Sequence, residues 1–292
     1  MAFHGGSAAI CLIGGDRGES QAERERAWFW DGKSWSMRQN GGGDAPGVAS
    51  LVALVSDAAE GSVLAYGGFA VLAPRKYGPP QDVLWELDAR LAWRRHPATG
   101  DAPGPRHHHA MAFDAARRRL VLYGGFDASD QWPTDTWEWD RARWTRIPTP
   151  NGPGDRAHHA MTFDEARGQV VLRGGTQRDR VSPTDTWLWD GRRWERAAVD
   201  GPGPGDGYRL AYDSARRVNV LFGGETVTWD GRSWTHRTPT GATPAARVVH
   251  ALATDPRRER VVLYGGSVRA SDNLADTWEW DGTGWTQPMP NA

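Results

Sequence analysis

Six times along its 292 residues this chain ends an apolar strand in a Gly-Gly doublet, then runs through a loop, an aromatic strand, a tight turn and a closing Trp. The doublets begin at Gly14, Gly67, Gly124, Gly174, Gly223 and Gly265, so the interval runs from 42 residues (223 to 265) to 57 (67 to 124). A self-similar period of this length marks an array of small β-units, each too small to bury its own apolar face without a neighbour. In the clearest copy RHHHAMAFDAARRRLVLYGG, from Arg106, precedes DTWEWDRARW, and the same frame recurs from Arg156 and from Arg247. The segment 1–15 fits the same frame.

Each copy reads as four antiparallel strands. In the third copy, Ala110–Asp114 and 120–123 are joined by a D-x-x-R turn that recurs at Asp114/Arg117, Asp164/Arg167, Asp213/Arg216 and Asp255/Arg258. A short acid there can bond nearby backbone N–H groups and pair with the Arg. Strand Thr136–Trp139 alternates as a half-buried strand should, and Asp-Gly in W-D-G-x-x-W suits a tight hairpin that needs positive φ. Trp137 and Trp139 point to one face, and most of the 17 Trp fall in such repeated slots, so they read as packing between units rather than as a cofactor box. The fold class is therefore all-β: one propeller of six blades, about 1–46, 47–103, 104–153, 154–203, 204–243 and 244–292, each supplying its own four strands.

Composition narrows the setting. The formal charge of −1 gives no basic surplus for nucleic acid, and no apolar run reaches the ~18 residues of a membrane helix. Neither a signal segment nor an internal disulfide is expected, with Cys11 alone, which suits a reducing cytoplasmic setting.

The combination R-x-x-H-A-M-x-F-D, an apolar strand to Gly-Gly, and D-T-W-x-W-D-G-x-x-W resembles the kelch-repeat propellers, particularly bacterial repeats similar to the central domain of galactose oxidase. The W-D dipeptides also occur in WD40 repeats, but the Gly-Gly and the second Trp favour kelch. The copper site that the oxidase resemblance implies has no counterpart: Cys11 lies inside a strand, and Tyr66, Tyr123 and Tyr264 fill one repeated slot. The E-x-x-x-D-x-x-x-H iron motif of plant specifier proteins is also absent, and a likeness to bacterial sialate epimerases rests on the six blades alone. No cofactor or metal is expected.

Site candidates come from loops and from departures within repeated slots. The loops after Gly-Gly are long and unlike one another, except in blade 5, where Glu225 and Thr226 alone intervene and leave a notch. His109, His159 and His250 share one slot and read as packing residues; Arg106, Arg156 and Arg247 share another, which repetition marks as structural, while the resemblance to kelch domains that capture acidic peptides implies instead that these arginines face a ligand. Strand alternation sets His108 opposite His109, so that His108 meets His159, or His109 meets His158, across blades 3 and 4. Arg173 replaces the usual Tyr or Phe before Gly-Gly and needs an acid or a bound anion, whereas Arg156 belongs on the rim. His107, Trp132, Tyr77, Tyr208 and Arg209 complete an aromatic and cationic surface. The reading is a monomeric binding module that takes an acidic peptide or small anion at the loop face of blades 3 to 6. The alternative is an isomerase, lyase or cyclase using His108, His158 and Arg173.

Overall fold

The computed structural model describes residues 1–13, 27–38, 49–73, 76–98, 100–203, 207–268 and 272–288, and among these no helix occurs. It is a six-bladed β-propeller with four antiparallel strands per blade, in chain order within each sheet except that the runs of four in blades 2 and 3 skip their loop strands. Blade 1 comprises Ala2–His4, Ala9–Leu12, Ala27–Trp30 and Trp35–Arg38, so among the described residues it supplies its own four strands. Two compact units are present, Met1–Pro148 with blades 1 to 3 and Thr149–Ala292 with blades 4 to 6.

Within each unit the second strand of a blade is the most deeply buried. Ser62–Tyr66, Arg119–Tyr123 and Gln169–Arg173 are almost wholly enclosed, and the central three residues of each are apolar because both of their faces are covered. Tryptophans on the third and fourth strands meet as cross-strand pairs: Trp30–Trp35, Trp189–Trp194, Trp229–Trp234 and Trp280–Trp285 have ring centroids 5.2–5.6 Å apart. The turns between those strands are held by their aspartates. Asp190 Oδ1, for example, accepts the amides of Arg192 and Arg193 at 2.7 and 2.9 Å. The following residue takes positive φ, 94° at Gly191, but in blade 3 that residue is Arg141, at 75°.

Two residues before each first strand of blades 2, 3, 4 and 6 the chain bends through a left-handed residue: Leu51, His108, His158 and Val249, with φ from 54° to 60°. The bend lets the residues just before it pair with those just after Gly-Gly: Arg106–His107 with Phe126–Asp127, Ala157 with Thr176, and Val248 with Ser267. A Cβ on Gly125 would lie 2.6 Å from the His107 carbonyl oxygen, and one on Gly175 2.6 Å from that of Ala157. The second glycine of the doublet is thus dictated by close backbone approach. In blade 2 this layer grows into a three-stranded sheet of Ala49–Ser50, Phe69–Ala73 and Lys76–Pro80.

Candidate functional site

The repeated arginines are buried, at 2% exposure for Arg106, 0% for Arg156 and 3% for Arg247. Each grips an aspartate 29 residues further along its own blade. Arg106 donates to both Asp135 oxygens at 3.0 and 3.3 Å, Arg156 to both Asp185 oxygens at 3.0 and 3.1 Å, and Arg247 to Asp276 in the same way. The same guanidinium groups bond the carbonyls of Gly124, Gly174 and Gly265. Trp137, Trp187 and Trp278 then donate their indole N–H to those aspartates at 2.6–2.7 Å. Burial by itself would raise the three carboxyls, but the Arg and Trp hydrogen bonds outweigh it and hold all three below the ordinary aspartate value. The expected rim position of Arg156 is therefore corrected: the three arginines are interior groups satisfied by their own blades. The signal was present, since the three copies with the Arg are also the three with Asp-Thr-Trp, whereas copies 2 and 5 have Val83-Leu84-Trp85 and Glu225-Thr226-Val227.

The histidines divide in two. His109, His159 and His250 are buried as expected of packing residues. Burial lowers the His250 pKa well below its ordinary value, and the nearby Arg209 and Arg247 charges add to that. His108 and His158 do not alternate along a regular strand; both occupy the left-handed bend. In its own blade His108 meets His107, Nδ1 to Nδ1 at 2.6 Å, a contact that adjacent residues of a straight strand cannot make.

Arg173 finds carbonyls in place of the acid or anion expected for it. Its guanidinium, 1% exposed, donates to the carbonyl oxygens of Pro183 at 3.1 Å and Gly203 at 3.2 Å and also to that of Pro202, and lies 5.9 Å from the Trp234 ring centroid. The same slot holds Tyr66 against Trp144 and Phe222 against Trp285, each 5.3 Å ring to ring, and the Tyr66 hydroxyl donates to the Gly104 carbonyl. Arg173 thus reproduces both halves of the tyrosine's role, by cation–π contact and by hydrogen bonding. Desolvation lowers its pKa, opposed first by the charge of Asp185. Tyr208 lies over Gly223, where a Cβ would fall inside its ring, and Arg209 donates to the Tyr208 carbonyl at 3.0 Å.

The remaining candidates come together in blades 2 and 3. Ring contacts run from Tyr77 to Phe69 (5.9 Å), Phe69 to His107 (4.3 Å), His107 to Phe126 (5.2 Å) and Phe126 to Trp132 (4.4 Å), with His108 touching both His107 and Phe126. Phe69 and Phe126, which link the candidates, were missed because each directly follows a Gly-Gly and reads only as the first residue of a loop. Tyr77 is 45% exposed and Leu72 beside it 59%, while Trp132 is half-buried. Asp130 stands 3.8 Å from His107 Nε2 with its side chain 90% exposed. Among the described residues no three His, Cys, Asp or Glu side chains are grouped to hold a metal, and no helix is long and apolar enough to cross a membrane.

A family model, the KLHDC2/KLHL20/DRC7 kelch-repeats domain, matches residues 61–228, more than half of the chain. The chain belongs to the kelch-repeat family. A 64-residue stretch of this kelch protein, 22% of the chain, is 34% identical to dynein regulatory complex subunit 7 of Chlamydomonas reinhardtii, spanning 6% of that protein. The solved structure of YjhT is similar in fold, with a TM-score of 0.71 over 97% of this chain and 95% of that one at 10% identity.

Proposed function

We propose that this kelch propeller is a binding module whose ligand is held on the ring-lined ridge of blades 2 and 3. One observation carries this reading: Tyr77, Phe69, His107, Phe126 and Trp132 form a continuous chain of rings, partly open to solvent, on loops that the repeat does not require. Partly exposed rings give large contact area at low entropic cost, and variable loops on a rigid scaffold are where recognition concentrates. An acidic peptide or small anion, the class suggested by the arginine slots, would have to part Arg106, Arg156 or Arg247 from their aspartates, which shifts the weight of the site from guanidinium groups to rings. Binding is favoured over turnover because Arg173, a proposed catalytic group, is enclosed and spent on backbone carbonyls. Panning of a random peptide-display library tests the reading. The wild-type protein should enrich a peptide family that the Tyr77→Ala/Trp132→Ala variant does not retain; equal enrichment by both would place the site elsewhere.

A further inference from the structure

Blades 3 and 4 carry loops of one design with opposite charge. After its Gly-Gly, blade 3 reads Phe126-Asp127-Ala128-Ser129-Asp130-Gln131-Trp132-Pro133, and blade 4 reads Thr176-Gln177-Arg178-Asp179-Arg180-Val181-Ser182-Pro183, equal in length. Their backbones bond alike: the Asp127 amide donates to the Gln131 carbonyl and that of Asp130 to Asp127, as Gln177 does to Val181 and Arg180 to Gln177. The fifth residue takes a left-handed φ in both, 54° at Asp130 and 65° at Arg180. That position sets an exposed charge at the loop tip, and the frame accepts either sign.

Resting on the binding-module reading, we infer that the blade 3 loop takes a cationic group, the side chain of an arginine or lysine in a peptide ligand, stacked on Trp132 and paired with Asp130. Asp130 projects its carboxylate into solvent beside His107, while Trp132 packs edge-on to Phe126 and stays partly open. A guanidinium or ammonium over an indole gains from the ring quadrupole, and an adjacent carboxylate adds charge-assisted hydrogen bonds. The other charged groups of these loops leave this arrangement in place. Asp127 Oδ1 accepts the Ser129 and Gln131 amides, Arg106 is neutralised by Asp135, and exposed Lys76 adjoins Tyr77 at the far end of the chain of rings. The sign of the expected ligand is thus opposite to the one read from the arginine slots.

The probes are two end-capped peptides of equal length, one of alternating Arg and Gly and one of alternating Glu and Gly, titrated calorimetrically at low salt. The Arg peptide should bind, and its affinity should drop on the order of tenfold in Trp132→Ala and again in Asp130→Asn. Asp130→Arg, which copies the residue blade 4 already holds at this φ, should abolish its binding while leaving the melting temperature unchanged. Preference for the Glu peptide, binding of neither peptide, or Arg-peptide binding indifferent to both Asp130 and Trp132 would overturn the inference. Glu-peptide binding that Tyr77→Ala/Trp132→Ala removes would reject only the cation and leave the ridge as the site, whereas binding indifferent to those rings would reject both.

Discussion

Arg156 is an interior cation whose every neighbour is arranged around its charge: two Asp185 oxygens, the Gly174 carbonyl and the Pro153 carbonyl. Replacing one partner of a buried pair costs more than the pair gains, because the other charge stays behind without compensation. Arg156→Met should therefore destabilise the protein by about 3–5 kcal/mol, read as a lowered urea midpoint. A midpoint unmoved by the substitution would return Arg156 to the rim. The burial was legible only through the coincidence of the Arg with Asp-Thr-Trp, since 29 residues separate the partners and hairpin pairing alone does not predict that they meet. The bend at His108, His158 and Val249 was not legible at all. Positive φ is uncommon for side-chain-bearing residues and, though His is enriched there, it is a true outlier at β-branched Val249, so the slot as a whole gave no warning of it.

Between blades the turns exchange parts. In blades 4 and 5 the D-x-x-R arginines, Arg167 and Arg216, pair with Asp164 and Asp213. They reach across to where a Cβ on Gly231 or Gly282 would lie 1.9 Å from their Nε, so glycine at those turns makes room for a neighbour's guanidinium. Blade 2 has Glu60 in place of the arginine, and blade 3 has Arg141 in place of the glycine. Arg141 reaches back to bond buried Asp57 and, at 3.2 Å, Glu86, so the same cation arrives from the opposite side. Burial tends to raise Glu86, yet His96, Ser62 and Arg141 hold it down at about 2. Arg141→Gly should cost about 2–4 kcal/mol by stranding these carboxylates, and adding Glu60→Arg should recover at least half of it. Strictly additive effects in a double-mutant cycle would reject the exchange. The strands themselves were plain in the sequence, whereas this exchange was hidden because each substitution looks like a lapse when its own copy is read alone.

For the protein as a whole, acid should act in two stages. His4 and His250 have pKa values below the ordinary 6.5, in both cases chiefly through burial. Burial lowers His4 against the Asp88 carbonyl, which accepts its Nε2–H at 2.8 Å and pulls the other way, while Nδ1 accepts the Ser7 amide at 3.0 Å, as the neutral ring can. The unfolded chain therefore binds more protons than the folded one below 6.5, so stability is full above that pH and declines as pH falls toward the folded values. A second decline follows as Glu86 and Asp281, ordinarily 4.5 and 3.8 and both held at about 2, approach protonation. Urea midpoints at pH 8, 5.5 and 3.5 should fall at each step, with His4→Gln reducing the first; a midpoint constant from pH 8 to 5.5 would contradict this account. The sequence by itself determined the six units, their strands and the tryptophan packing, because alternation, Gly-Gly and D-G turns are local consequences of backbone sterics and burial. Only the tertiary structure decided which charges are interior and which rings meet. Arg141 with Asp57 and Phe69 with His107 are each joined across distant segments by packing geometry, which no period in the chain encodes.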